Sequence, residues 1–284
     1  MSKKPNFFQA FRKRQNETLD VDPINVPLMG LPAEMDGYRI AVLADPHIQG
    51  LTEYHEKIVQ AVQEAAPDFI VIAGDVIDRN SMLIESYTPF FEAIGRIAPT
   101  VAILGNNDCL PGLISTLRGM YKKANITLLE NETRMLATRG VPLRVTGLID
   151  PRAEENGIKL EHSAETHAYV PLAETLPPDK QAQGEFIHSI LLIHQPNLVG
   201  PYLQLQPSLI ICGHAHGGQF RVPGIGGLYA PGQGIFPRHT SGLYTLGNTN
   251  LVVSRGLGTH HLHLRLNNRP HIPLIILRSG PDAL

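Results

Sequence analysis

Between Tyr38 and Asp108 the sequence repeats one arrangement, a short apolar run that gives way to a polar loop carrying Asp or Asn, with helical spacing in between. Tyr38 to Ala44 reads as a buried strand. It ends in Asp45-Pro46-His47, where a proline without an N–H stops the ladder. Glu53 to Ala66 has helical spacing, Pro67 stops it, and Phe69 to Ala73 is a second strand ending in Gly74-Asp75. Thr88 to Ile97 then reads as helix, Thr100 to Leu104 as strand, and Gly105-Asn106-Asn107-Asp108 as the loop at its end. Strand–helix–strand units connect right-handedly and lay their strands parallel, so this pattern predicts an α/β protein. Ligands of open α/β sheets bind beyond the carboxyl ends of the strands, which brings these three loops to one crevice. Taken singly, each loop is equally a turn or a helix N-cap, since Asp, Asn and Gly are the ordinary residues of both.

Farther along, Leu113 to Lys123 reads as helix, and Ile126 to Leu129 and Leu143 to Ile149 as strands. Asp150 to Gly184 is charged and irregular, an insertion or flap in which His162 and His167 are read as surface residues. Ile187 to Ile193 is a strand ending in His194-Gln195-Pro196, followed by a short helix over Asn197 to Leu205. Leu209 to Cys212 is a strand running into Gly213-His214-Ala215-His216-Gly217-Gly218. A chain held extended from Gly213 points His214 and His216 the same way. The glycines allow close backbone approach, and imidazole is the commonest neutral metal ligand. Gly242 to Leu246 and Leu251 to Ser254 form a hairpin. The glycine-rich Gly224 to Gly234 does not sit between a strand and a helix, so it reads as a loop and not as a dinucleotide fingerprint. Asp20 to Gly37, rich in Pro and Gly, reads as an extended lead-in with room for an edge strand. The expected division is an N-terminal extension over 1–37 and a single domain over 38–284.

A chain of 284 residues with 43% hydrophobic and 18% charged residues has the composition of a globular protein. No apolar run approaches the roughly 20 residues of a membrane span. Met1 to Asn16 is basic and contains Phe7, Phe8 and Phe11, but lacks the apolar core of a secretion signal. It reads as a frayed or locally packed terminus, with weak contact to an anionic membrane surface as the alternative. The expected location is therefore cytoplasmic, at most peripheral to the inner membrane. A net charge of −2 leaves no nucleic-acid footprint. Cys109 and Cys212 are too few for a disulfide framework and read as small buried residues.

The strand ends together supply Asp45, His47, Asp75, Asn106, His194, His214 and His216. These carboxylates, amide oxygen and imidazoles are too many for one ion. They suit two first-row divalent ions about 3.5–4 Å apart with a carboxylate between them, and Asp75, central in chain order, is the natural bridge.

In this order, Asp-Pro-His, Gly-Asp, Gly-Asn-Asn-Asp, a strand-end His and Gly-His-Ala-His resemble the calcineurin-like metallophosphoesterase superfamily. Gly217-Gly218-Gln219, Pro223-Gly224-Ile225-Gly226, Ser241-Gly242-Leu243-Tyr244 and Ser254-Arg255-Gly256-Leu257-Gly258 are similar to the C-terminal signature of its small bacterial phosphodiesterases. The resemblance implies a two-sheet β-sandwich flanked by helices, in four layers. It places Asp45, His47, Asp75 and His216 on one ion and Asp75, Asn106, His194 and His214 on the other; a mixed N/O site of this kind accepts Mn, Fe, Zn or Co. A water bridging the two would attack a phosphodiester or phosphomonoester in line with the leaving group, with no covalent enzyme intermediate.

One departure stands out. Where many members have His after the ligand Asn, credited with protonating the leaving group or binding phosphate, this chain has Asn107. An amide donates a hydrogen bond but supplies no proton at neutral pH, and a positioned acid is worth about 10²- to 10⁴-fold. Asn107 and Asp108 are accordingly the residues expected nearest the proton transfer. Arg255 is the candidate for a substrate phosphate, with a surface salt bridge as its alternative. His260, His261 and His263 read as an exposed tail, or as a secondary metal patch. The expected substrate is a small-molecule or lipid phosphoester. The rival readings are a binding or scaffold protein that kept the fold without turnover, motivated by Asn107, and a nuclease, disfavoured by the absence of a basic excess.

Overall fold

Alternation along the strands explains the layers. In a computed structural model describing residues 6–78, 81, 84–157, 188–259 and 264–280, Ile40 and Val42 share one core with Phe69, Val71, Val101 and Ile103. Their neighbours Ala41, Leu43, Ile70 and Ile72 belong to another. Successive side chains point to opposite faces of a strand, so a strand apolar at every position is one covered on both faces. The first core also takes Val145, Ile190, Leu192, Leu209, Ile211 and Val252 from a second sheet, and is the filling of a sandwich.

Six strands build each sheet. The first runs Asp20–Leu28, His271–Ser279, Arg39–Leu43, Phe69–Ala73, Thr100–Ile103, Thr127–Leu128. The second runs Gly242–Leu246, Thr249–Val253, Leu209–Cys212, His188–Leu192, Val141–Gly147, Glu132–Thr138. The middle strands of each pair in parallel. Against the outer face of the first sheet lie the helices Glu53–Ala65, Thr88–Gly95 and Leu113–Lys123, which contribute Ile58, Val62, Phe90, Phe91, Leu117 and Tyr121 to the second core. The outer face of the second sheet is covered by Tyr202, in the second of two short 3₁₀ turns, and by Val199 between them, where a single helix was expected. The protein is thus the expected sandwich flanked by helices.

The lead-in enters the fold itself, because Asp20–Leu28 is an edge strand paired in parallel with His271–Ser279. Glu132–Thr138 and His271–Ser279 are strands the sequence reading did not contain. Within the glycine-rich loop, two small antiparallel pairings occur, Arg221–Val222 with Gly226–Gly227 and Tyr229–Ala230 with Gly234–Ile235. Cys109 and Cys212 are buried and unbonded. His162, His167, His260, His261 and His263 lie outside the described residues.

Candidate metal centre

Both sheets end at the same place. The carboxyl ends of Arg39–Leu43, Phe69–Ala73 and Thr100–Ile103 from one sheet, and of His188–Leu192 and Leu209–Cys212 from the other, deliver the candidate ligands into one buried region. The loops are knitted together there: Asp45 N–H donates to the Gly74 carbonyl at 3.0 Å, and Gly213 N–H to the His194 carbonyl at 3.0 Å.

Two clusters result. Asp45, His47 and His216 offer ligand atoms within 4.8 Å of one another, and so do Asp75, His194 and His214. The clusters adjoin, since His194 Nε2 is 3.3 Å from Asp75 Oδ2 and 3.8 Å from Asp45 Oδ1. His47 Nε2 and His216 Nε2 approach to 3.1 Å, and His214 Nδ1 and His194 Nε2 to 3.2 Å.

One expectation is corrected. The chain after Gly213 is not extended: His214 has φ 64° and His216 φ 46°, and His216–Gly218 closes a 3₁₀ turn. His214 and His216 consequently part, one to each cluster. Asp45, His47 and Asp75 also have φ between 45° and 52°. That left-handed region is unfavourable for residues with a Cβ, and such strain gathers where surrounding structure holds a functional geometry in place.

What holds it can be named. Both Asp45 oxygens accept the His214 N–H, at 2.9 and 3.0 Å. Asp75 Oδ1 accepts the Asn107 N–H at 2.7 Å and Oδ2 the Asn107 amide at 2.6 Å. His194 Nδ1 lies 2.7 Å from the Ala73 carbonyl, which accepts its N–H and turns Nε2 toward the clusters. Asp108 sits behind them, accepting N–H bonds from Val76, Ile77 and Gly105. That makes it the tie between two loops. Arg255 is engaged elsewhere, paired with Asp20 and donating to Ser241 Oγ.

Electrostatically the region calls for cations. Burial pushes Asp45 up to about 7, aided by the Asp75 charge, and burial with the same neighbour pushes Asp108 up to about 7. Burial also opposes the Asp75 charge, but His194, facing it, outweighs that and holds Asp75 below the usual carboxylate range. For His194 burial favours the neutral ring, and the carboxylates, Asp75 foremost, overcome it and raise the ring to about 10.

The donors suit divalent first-row ions, which favour such mixtures of imidazole and carboxylate. A further sign is Asn106 Oδ1, buried and with no hydrogen-bond partner among the described residues. An acceptor left so costs about 1–3 kcal/mol unless something takes its lone pair, and a metal ion does.

Two residues escaped the sequence reading. The fully buried Arg265 donates to the carbonyls of Gly256 at 3.1 Å and of Gly258, and Gly258 N–H in turn donates to the Asp45 carbonyl at 2.7 Å. Asn268 Nδ2 donates to the His216 carbonyl at 2.7 Å and the Gln219 carbonyl at 3.0 Å. Both fix loops that carry candidate ligands. In sequence they stand in a polar stretch that gives no sign of burial.

The calcineurin-like phosphoesterase family model matches residues 38–218, well over half the chain. The metallophosphoesterase YkuE of Bacillus subtilis is 25% identical over 88% of this chain and 82% of its own length. Phosphodiesterase YaeI of Escherichia coli is 27% identical over 84% of this chain and 82% of its own length. Among solved structures, TT1561 of Thermus thermophilus superposes with a TM-score of 0.50 at 16% identity, covering 78% of this chain and 90% of that one. This last likeness bears on the fold alone.

Proposed function

The chain belongs to the calcineurin-like phosphoesterase family, and from that premise we propose that it is a dimetal hydrolase acting on phosphodiesters in preference to phosphomonoesters. The observation that carries the reading is the pair of adjoining buried clusters at the ends of both sheets. Asp45, His47 and His216 would hold one ion and His194, His214 and Asn106 the other, with Asp75 between them. Such ions supply Lewis acidity toward phosphate oxygens and toward water.

The chain's own residues orient and balance charge. Asn107 aims both Asp75 oxygens through its backbone and side-chain donors. The Ala73 carbonyl fixes the His194 ring. The preference for diesters rests on the charge left for substrate. A monoester dianion asks for a cationic side chain, yet Arg255 is held by Asp20, Arg265 is spent on carbonyls, and position 107 is neutral. The E. coli relative is named a phosphodiesterase, in keeping with this choice.

The test is a series of aryl phosphodiesters and their monoester counterparts, graded in leaving-group acidity, given to metal-loaded protein. Diesters are expected to be hydrolysed faster, with rates falling steeply as the leaving-group pKa rises, and Asn107→His to rescue the poor leaving groups within the about 10²- to 10⁴-fold open to a positioned acid. Absence of turnover on every ester, in protein that has taken up metal, would leave the scaffold reading in its place. A flat dependence in the unaltered protein would show that another group already donates the proton.

A further inference from the structure

Next to the His216 turn, the chain exposes apolar side chains that its fold has no use for. Ile225 is 63% exposed, Tyr229 50%, Ile235 74% and Phe236 65%, and all lie on the two small hairpins after the turn. Tyr229 and Ile235 are directly opposed across their pairing, where side chains fall on the same face. Leu228 N–H bonds the Gly218 and Phe220 carbonyls, and the Leu228 carbonyl accepts the Phe236 N–H at 3.0 Å, so both hairpins hang from the turn. Gly218 and Gly227 pack so closely that a Cβ on Gly218 would stand 2.4 Å from Gly227 Cα. Phe236 has φ 52°, a costly conformation for a bulky residue to hold in water.

Charge says what this surface meets. Between Glu185 and Asp282 the sequence contains no Asp or Glu, but it does contain the arginines 221, 238, 255, 265, 269 and 278. In a chain of net charge −2, all the acidic residues therefore lie outside this stretch. Arg255 and Arg278 are matched by Asp20 and Asp36 of the lead-in, whereas Arg238, two residues from Phe236, is exposed. The helix Phe7–Glu17, with exposed Arg12 and Arg14 and with Lys13 paired to Glu17 at 3.8 Å, ends nearby: Asn16 Oδ1 accepts the Arg265 N–H at 3.0 Å, and the next residue, Leu266, bridges to Phe220.

We infer that the hairpins over residues 221–238 dock the protein on an anionic lipid bilayer, the apolar side chains entering the interface and Arg238 meeting lipid phosphates. Exposed apolar side chains beside an exposed arginine, on a stretch of chain that carries no carboxylate, suit that boundary, where binding strength is set by buried apolar area and anionic lipid content. A protein partner of mixed charge would find no carboxylate on the hairpins themselves to accept its basic residues. The inference stands apart from the hydrolytic reading, because docking is measured without substrate.

The experiment is co-sedimentation of the full chain with vesicles of equal parts phosphatidylglycerol and phosphatidylcholine, and with phosphatidylcholine alone. Ile235→Asn with Phe236→Asn is the test variant, since Asn tolerates the positive φ. The unaltered chain is expected to partition onto the anionic vesicles and much less onto the neutral ones. The double variant should lose about tenfold or more of that partitioning while keeping its metal content. Equal partitioning of both proteins would overturn the inference. So would a chain that ignores vesicles but forms a dimer that the variant cannot, which would assign the surface to a second copy.

Discussion

Asp75→Ala is expected to lose hydrolysis by about 10³-fold or more and to lower metal content at both positions, because a carboxylate shared by two ions contributes several kcal/mol that no neighbour replaces. Its two oxygens also receive both Asn107 donors, at 2.7 and 2.6 Å, so truncation releases the loop that carries Asn106. Asp75→Asn separates these effects. It keeps an acceptor for Asn107 and the loop position but removes the charge, and should retain the fold while losing metal. Measured by metal analysis and turnover side by side, full activity in Asp75→Ala with normal metal content would sink the bridging assignment.

Gly105→Ala is the second large effect, and it replaces no ligand. The added Cβ would stand 2.3 Å from Asp75 Oδ1 and 2.4 Å from Asp75 N, and the second contact, being with backbone, cannot be relieved by a rotamer change. Gly105 is not among the positive-φ residues, so the damage comes from collision alone. Overpacking of this kind costs about 1–3 kcal/mol of stability. A displaced carboxylate near the reacting centre costs about 10²-fold in rate. Gly119→Ala is the control, in the helix Leu113–Lys123 with nothing near its would-be Cβ, and should leave activity intact. Urea unfolding with turnover checks both. A Gly105→Ala protein indistinguishable from the unaltered one would mean that the two loops do not meet as described.

Much of this centre could be read from the residues because local and global signals agreed. Phe69–Ala73, Leu209–Cys212 and Leu113–Lys123 have the bounds their apolar runs and helical spacing imply. Parallel strands force their carboxyl-end loops together. What stayed illegible depended on distant partners. Glu132–Thr138 is an edge strand with most side chains toward solvent, so it carries no apolar alternation. His271–Ser279 contains Pro273, which argues against a central strand. The conflict resolves in the register: pairing with Arg39–Leu43 begins at Leu274, and Pro273 faces only the lead-in strand. The left-handed backbone at His214 was equally hidden, because it goes against that residue's own preference and is held by Asp45, far away in sequence.

Electron paramagnetic resonance of the protein loaded with Mn(II) puts the account to its most direct test. Two adjoining clusters, with Asp75 as the proposed bridge between their ions, predict the spectrum of a magnetically coupled pair, reduced to that of isolated ions in Asp75→Ala. His214→Ala and His216→Ala should each retain one uncoupled ion, with different spectra because different ligands remain. A spectrum of isolated ions in the fully loaded, unaltered protein would contradict the account at its centre.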